Sequence, residues 1–438
     1  MINRFFNIIE KVTPVKWRWV WSHEGFRRYF ANTGWMFFGQ MFGLLLSFFI
    51  GVWVVRYLGP ENYGVLSYAL AFTVLFSFIA NLGVDNILNR ELVKFPEKRD
   101  ELMGTAFRLK LIGGFIAFGV TVASVFIINP SSLIKFLVMV YSFTFIFQSL
   151  NIVSTFFQSR VEAKKNVRAQ ILSSSFTSIL KIIIMLSGLG VIWIMLAYTL
   201  DSLWIVVVLI VSYRRSKFKT RNWKFNGALA RQIFASSWLM MLTTASVLVY
   251  MKIDQVIIRH MLDERAVGLY SAAIKLSEVW YFIPGIICVS LFPAIINSKK
   301  TNQESYYSRL KNLFLLVLAL SLIIAIIVSV LARPIVYILF GEDYLESVSV
   351  LRIYTWSIVG MFLGMVAGYY LLAENYMKIY FFSSFFVAVI NIVLNVLLIP
   401  RMGINGAAVA TVVSYSFLVL GLMFFRKTRR ELRLIFKK

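Results

Sequence analysis

The sequence predicts an all-α polytopic membrane protein, with twelve transmembrane helices in two pseudo-symmetric six-helix lobes around a central cleft. Three observations predict it. Of the 438 residues, 59% are hydrophobic and only 15% are charged, too little polar surface for a water-soluble chain of this length. Uncharged runs recur near the roughly 20 residues that a helix needs to cross hydrocarbon. One turn motif also appears twice, about half a chain apart.

Residues 1–29 carry Arg4, Lys11, Lys16, Arg18, Arg27 and Arg28 among Trp17, Trp19 and Trp21. With no short apolar core ahead of a small-residue cleavage site, this is a basic amphipathic segment lying on a membrane surface, not a secretory signal. The N-terminal lobe, 30–213, holds spans near 29–55, 62–84, 111–134, 136–159, 169–188 and 191–213. A basic linker follows at 214–231. The C-terminal lobe, 232–426, holds spans near 232–251, 270–297, 312–332, 353–373, 379–400 and 402–425, and a basic tail closes the chain at 427–438. Three of these spans reach full length only by taking in Lys181, Asp201, and Lys275 with Glu278.

The repeated motif joins spans one and two as RYLGPENYGVLSYA from Arg56 to Ala69, and spans seven and eight as RHMLDERAVGLYSAA from Arg259 to Ala273. Gly59-Pro60 is a turn; Pro60 suits a first helical position, where its missing N–H costs nothing, and Glu61 faces the positive end of the helix dipole. Gly64 and Gly268 correspond at an offset of 204. Glu162 and Glu374 echo each other after spans four and ten, as do Gly188 and Gly190 with Gly403 and Gly406 before spans six and twelve. Six helices per half is an even number, so the halves are related by an axis along the membrane normal, which leaves a cleft between them.

The net charge of +25 would raise nucleic acid in a soluble protein. Here its distribution answers the question. Segments on the side of the termini hold 33 Lys and Arg, the opposite loops only 6. That asymmetry places both termini in the cytoplasm, with the basic excess against anionic lipid. The lone Cys288 excludes an intramolecular disulfide, and with only His23 and His260 beside it no metal centre is expected.

The stretches RYLGPENYGVLSYALAF, NLGVDNILNREL and KIDQVIIRHMLDERAVGLYSAAIKLSEVWYFIPGIICVSLFPAI resemble the polysaccharide-transport branch of the multidrug/oligosaccharidyl-lipid/polysaccharide exporter superfamily, which includes O-antigen and teichoic-type flippases. The resemblance covers roughly 30–425. It implies alternating access between two six-helix lobes in the bacterial cytoplasmic (inner) membrane, moving a polyprenyl-diphosphate-linked oligosaccharide from the inner to the outer leaflet for cell-surface polysaccharide biosynthesis. Membrane lipids and a polysaccharide polymerase or export machinery are the implied partners. No cofactor is implied; coupling to an H+ or Na+ gradient stays open. A diphosphate and sugars are costly to drag through hydrocarbon, so such a cargo calls for a polar, cationic cleft and no covalent chemistry.

Ionisable groups inside spans are expensive and are therefore the candidate site. Lys181 and Asp201 fall near the midplane of spans five and six, where they could form a phosphate-attracting or proton-linked site or a buried ion pair. Lys252, Lys275 and Arg352 are further candidates for substrate. Asp254 and Glu278 are candidates for a gate or for coupling, or pair with the lysines, Lys275 and Glu278 sharing a helix face three residues apart. Asp85 and Arg90 form a gate or an interfacial pair. Gly39 with Gly43, and Gly360, Gly364 and Gly368, mark close helix packing or sliding.

Two other functions compete. A cation-coupled drug exporter of the same fold would prefer a cleft dominated by carboxylates, and here cations slightly outnumber them. A membrane glycosyltransferase or polymerase would need catalytic carboxylates on a substantial loop; the outer loops are short and, apart from Glu342-Asp343, no two carboxylates stand in a plausible catalytic arrangement. The sequence therefore reads as a transporter and not an enzyme.

Overall fold

The computed structural model describes residues 24–436, so most of the basic segment 1–29 lies outside the described residues. Within them, eleven helical stretches are long and apolar enough to cross a membrane. The first, Asn32–Leu75, is two crossings, because Gly59 takes φ 69° and breaks the helix. Only glycine adopts that conformation without steric cost, and Pro60 then opens the next helix.

Twelve crossings result. They are α1 (24–58), α2 (60–94), α3 (Pro96–Ile128), α4 (Ser132–Ser159), α5 (Ala163–Leu186) and α6 (Val191–Arg215), then α7 (Gly227–Met261), α8 (Glu264–Lys299), α9 (Gln303–Val330), α10 (Ser347–Ala373), α11 (Met377–Met402) and α12 (Ile404–Phe424). Their order is the one the hydropathy pattern predicts. The largest shift is at the start of α3, at Pro96 and not 111; the same helix ends at Ile128 and not 134. Pro130 disfavours helix in the residue before it, and the Ser131 side chain accepts from the Ile134 N–H to start α4.

The two hairpins meet each other. Gly64 of α2 and Gly268 of α8 lie so close that a Cβ on Gly64 would overlap the Glu264 carbonyl, and one on Gly268 the Pro60 carbonyl. This reciprocal contact binds the lobes at what we call the hairpin end. There they share one apolar core, with Val54, Leu58 and Leu66 from one lobe against Val267, Ala272 and Phe340 from the other. Tyr344 adds a bond across the seam, its hydroxyl donating to the Val55 carbonyl at 2.8 Å. At the opposite, terminal end the cores are separate. Val84, Leu88, Phe156 and Tyr213 fill the N-terminal lobe, and Cys288, Phe292, Leu310 and Phe362 the C-terminal one.

Helix α7 belongs to both lobes. Its first turns pack on the N-terminal lobe, with Ile233 in that lobe's core and Gly83 against the Ser237 carbonyl. Its later turns pack on α12, Tyr250 edge-on to Tyr415 at 5.2 Å. In between, Thr243, Thr244 and Ser246 donate back to the carbonyls of Leu239, Met240 and Leu242 at 2.8, 2.9 and 3.0 Å.

The linker is pinned to α3, Lys224 N–H donating to the Asp100 carbonyl at 3.0 Å and Asn226 N–H to Thr105 Oγ1 at 3.0 Å. The basic tail is a docked helix, α13 (Arg426–Phe436). Leu432 and Ile435 enter the C-terminal core, and Glu431 accepts from the hydroxyls of Tyr370 and Tyr376. Arg426, Lys427, Arg429, Arg430 and Arg433 stay exposed. The glycine spacings serve helix contacts: Gly39 and Gly43 face Val167 and Gln170 of α5, and Gly360 and Gly364 face Tyr415 and Leu418 of α12.

Candidate functional site

A cavity of about 250 Å³ lies between the lobes, directly below the hairpin seam. The N-terminal lobe contributes one face of α2, with Tyr63, Ser67, Leu70, Ala71 and Val74, and Tyr198 of α6. The C-terminal lobe contributes Lys252 and Gln255 of α7 and Ser271, Ile274, Lys275 and Glu278 of α8. At the offset of 204 that matches Gly64 to Gly268, Ser67 corresponds to Ser271, Leu70 to Ile274, Ala71 to Lys275 and Val74 to Glu278. Equivalent helix faces thus line the two sides, and the charge sits on one of them.

Within this cavity Lys252 pairs with Glu278 at 3.2 Å. The expected pairing of Lys275 with Glu278 along one helix face is therefore corrected: Glu278 reaches across to α7. Lys275 has no carboxylate partner among the described residues. Its ammonium lies against Gly51 of α1, where no side chain competes for the space, and 5.9 Å from the Tyr63 ring centroid. One turn away, Ser271 Oγ is buried with no partner among the described residues. Lys181 stands behind Tyr198, with Nζ 3.5 Å from the ring centroid, a cation–π contact worth most where water is excluded.

Four other expectations are corrected. Lys181 and Asp201 do not pair: Asp201 instead accepts from Ser173 Oγ and Thr177 Oγ1, both at 2.9 Å, and both on the helix that carries Lys181. Asp85 and Arg90 do not pair either. Asp85 accepts from the buried Lys110 through both carboxylate oxygens, each at 2.9 Å, and from Thr155 Oγ1 at 3.4 Å, while Arg90 turns to Glu91 at 3.0 Å. Asp254 is held by hydrogen bonds and not by a lysine, accepting from the Tyr270 hydroxyl and the Gln255 N–H. Arg352 is exposed and lies outside the cavity. Helix rotation and neighbour identity decide these pairings, and spacing along one helix does not contain them.

Two lobes, twelve crossings and a cationic cavity between the lobes are the architecture of the multidrug/oligosaccharidyl-lipid/polysaccharide exporter superfamily. Within it, the chain belongs to the family described as Polysaccharide biosynthesis protein, whose model matches residues 53–349. It is similar to the probable low-salt glycan biosynthesis flippase Agl15 of Haloferax volcanii, 26% identical over 48% of this chain and 45% of that one. It is also similar to the probable lipid II flippase MurJ of Thermotoga maritima, 28% identical over 51% of this chain and 46% of that one. The chain thus spans about half the length of these relatives in the matched regions. Among solved structures, an inward-facing multidrug resistance MATE family transporter of the MOP superfamily superposes with a TM-score of 0.74 at 14% identity, over 90% of this chain and 96% of that one. At that identity the likeness is one of fold.

Proposed function

We propose that this chain is a flippase that carries a polyprenyl-diphosphate-linked oligosaccharide from the cytoplasmic to the outer leaflet by alternating access. The observation that carries the proposal is Lys275. A lysine in a cavity between helices, without a carboxylate, is a standing cost in a membrane protein, and a diphosphate would relieve it. Ser271 beside it supplies an unused hydroxyl, and Lys181 a second positive charge one ring away. The Lys252–Glu278 pair is neutral within itself, so the cavity has a cationic excess, the opposite of what an amphiphilic cation requires. The lipid tail would stay in the bilayer while the headgroup crosses.

On this reading the membrane is the bacterial cytoplasmic membrane with both termini inside, because the basic residues crowd the terminal end. The sealed hairpin end then faces outward and the separated cores face the cytoplasm. A volume of 250 Å³ is below the roughly 300–1,000 Å³ of sites that hold a whole ligand. The lobes must part further to pass a glycan. A polymerase or export complex would receive the cargo, and an H+ or Na+ gradient would drive the return.

The test is translocation of a labelled polyprenyl-diphosphate glycan in proteoliposomes, with and without each gradient. The expected result is transport by the parent and loss with Lys275→Met at matched protein level. Transport of amphiphilic cations with none of the lipid-linked sugar would overturn the proposal in favour of a drug exporter.

A further inference from the structure

A polar stripe runs down one face of α5: Asn166, Gln170, Ser173, Thr177 and Lys181, at steps of four, three, four and four residues. That spacing holds side chains on one side of a helix. Polar groups inside a lipid-embedded bundle need partners. The upper three have them, since Lys181 lies on Tyr198 while Ser173 and Thr177 hold Asp201. The lower two face something else.

Asn166 and Gln170 border a chamber of about 580 Å³ inside the N-terminal lobe, walled by α1, α2, α4, α5 and α6. Five side-chain amides line it: Gln40, Asn151, Gln158, Asn166 and Gln170. The Oδ1 atoms of Asn151 and Asn166 are buried and accept no hydrogen bond among the described residues. The Asn166 amide nitrogen is committed to the Ser154 carbonyl at 2.9 Å, which fixes the orientation of the group. Among the described residues Asp85 is the only charged one in the lining, and Lys110 neutralises it. Exposed Gln40 and Gln158 form the mouth, toward the terminal end. From Gln170 to Lys181 is eleven residues, about 16 Å along the helix at its usual rise.

Idle acceptors, abundant amide donors and no free charge suit neither an anion nor a cation. They suit a neutral ligand rich in hydroxyl groups. The volume is within the range of small-molecule sites, which the cavity between the lobes is not. We infer that this chamber is a sugar subsite: it receives the first sugars of the lipid-linked glycan as the cargo enters from the terminal end, ahead of capture of the diphosphate at Lys275. The inference rests on the flippase reading and deepens it. It divides recognition between two places, charge between the lobes and hydroxyls within one lobe.

The experiment uses the full chain in nanodiscs. Cys288 is its only thiol and is buried, so Gln158→Cys puts one reactive group at the chamber mouth. Maleimide labelling is followed with three probes: polyprenyl diphosphate bearing an N-acetylhexosamine, bearing a hexose, or bare. At ten times its Kd a sugar-bearing probe should slow labelling about tenfold by occupancy alone, and the bare diphosphate should not. Adding Asn166→Leu and Gln170→Leu should abolish that protection and leave affinity for the bare probe unchanged. Equal protection by the bare probe, or no protection by either sugar-bearing probe although both bind, overturns the subsite. If none of the three binds the parent, the flippase reading falls and the subsite with it. The protection measured on Gln158→Cys alone decides the matter should the leucine variants fail to fold.

Discussion

Replacing Gly64 by valine should open the hairpin end. The Cβ of any residue there meets the Glu264 carbonyl, and the Gly268 backbone N–H region lies 3.0 Å away, so the backbone itself must shift. Overpacking a well-filled contact costs typically about 1–3 kcal/mol. That cost falls on the sealed state alone, because parting the lobes removes the clash. A differential of that size changes a two-state ratio by roughly 5- to 150-fold. Spin labels at Glu61→Cys and Arg265→Cys, both exposed and on opposite sides of the seam, report the distance between hairpins by double electron–electron resonance. The parent should give one short distance, and Gly64→Val a second, longer population. Gly268→Val should do the same, and the double variant should gain less than the sum, since both clashes are relieved by one movement. A distance distribution unchanged by either substitution, in a folded protein, would refute the claim that this glycine contact holds the lobes together.

Three further predictions concern stability. Asp85→Ala strands the fully buried Lys110 and should destabilise by on the order of 3 kcal/mol, the low end for a broken buried pair because Asp85 is half exposed; Lys110→Met should cost less, and thermal unfolding in detergent separates the two. Glu162 is partly buried, which favours its neutral form, but hydrogen bonds and charge from Lys165 and Arg160 prevail and hold it below the usual 4.5. Its contribution is therefore complete above pH 4.5 and fades as pH falls through the depressed value, so the melting temperatures of parent and Glu162→Gln should converge on acidification and differ above it. Glu431→Ala removes the acceptor shared by Tyr370 and Tyr376, and should free α13 for limited proteolysis near Arg426 without altering the melting of the transmembrane core.

The crossings were legible because lipid fixes their length, and the lobes because the turn at Gly59-Pro60 has an echo at Gly268. Even the spans that take in Lys181, Asp201, and Lys275 with Glu278 fell where hydropathy put them. Pairing was not legible. Asp85 chose Lys110, 25 residues away, over Arg90 on its own helix, and Glu278 chose α7 over its i−3 neighbour. Those choices depend on which helices adjoin and how each is turned about its axis. The amide chamber was overlooked because a search for charges passes over Asn and Gln. Its signal was nonetheless present, as the regular Asn166, Gln170, Ser173, Thr177, Lys181 spacing in an otherwise apolar helix.

One helix decides how such a molecule can flex. Because α7 is fastened at its head to one bundle and along its later turns to the other, relative rocking of the bundles must deform it. Hydroxyls that reach back to the carbonyl four residues earlier loosen and bend a helix, and three of them cluster between the two fastenings, at Thr243, Thr244 and Ser246. This strut is therefore built to act as a leaf spring. Replacing the trio with alanine should stiffen it, slowing the exchange between conformers while leaving each conformer's shape intact.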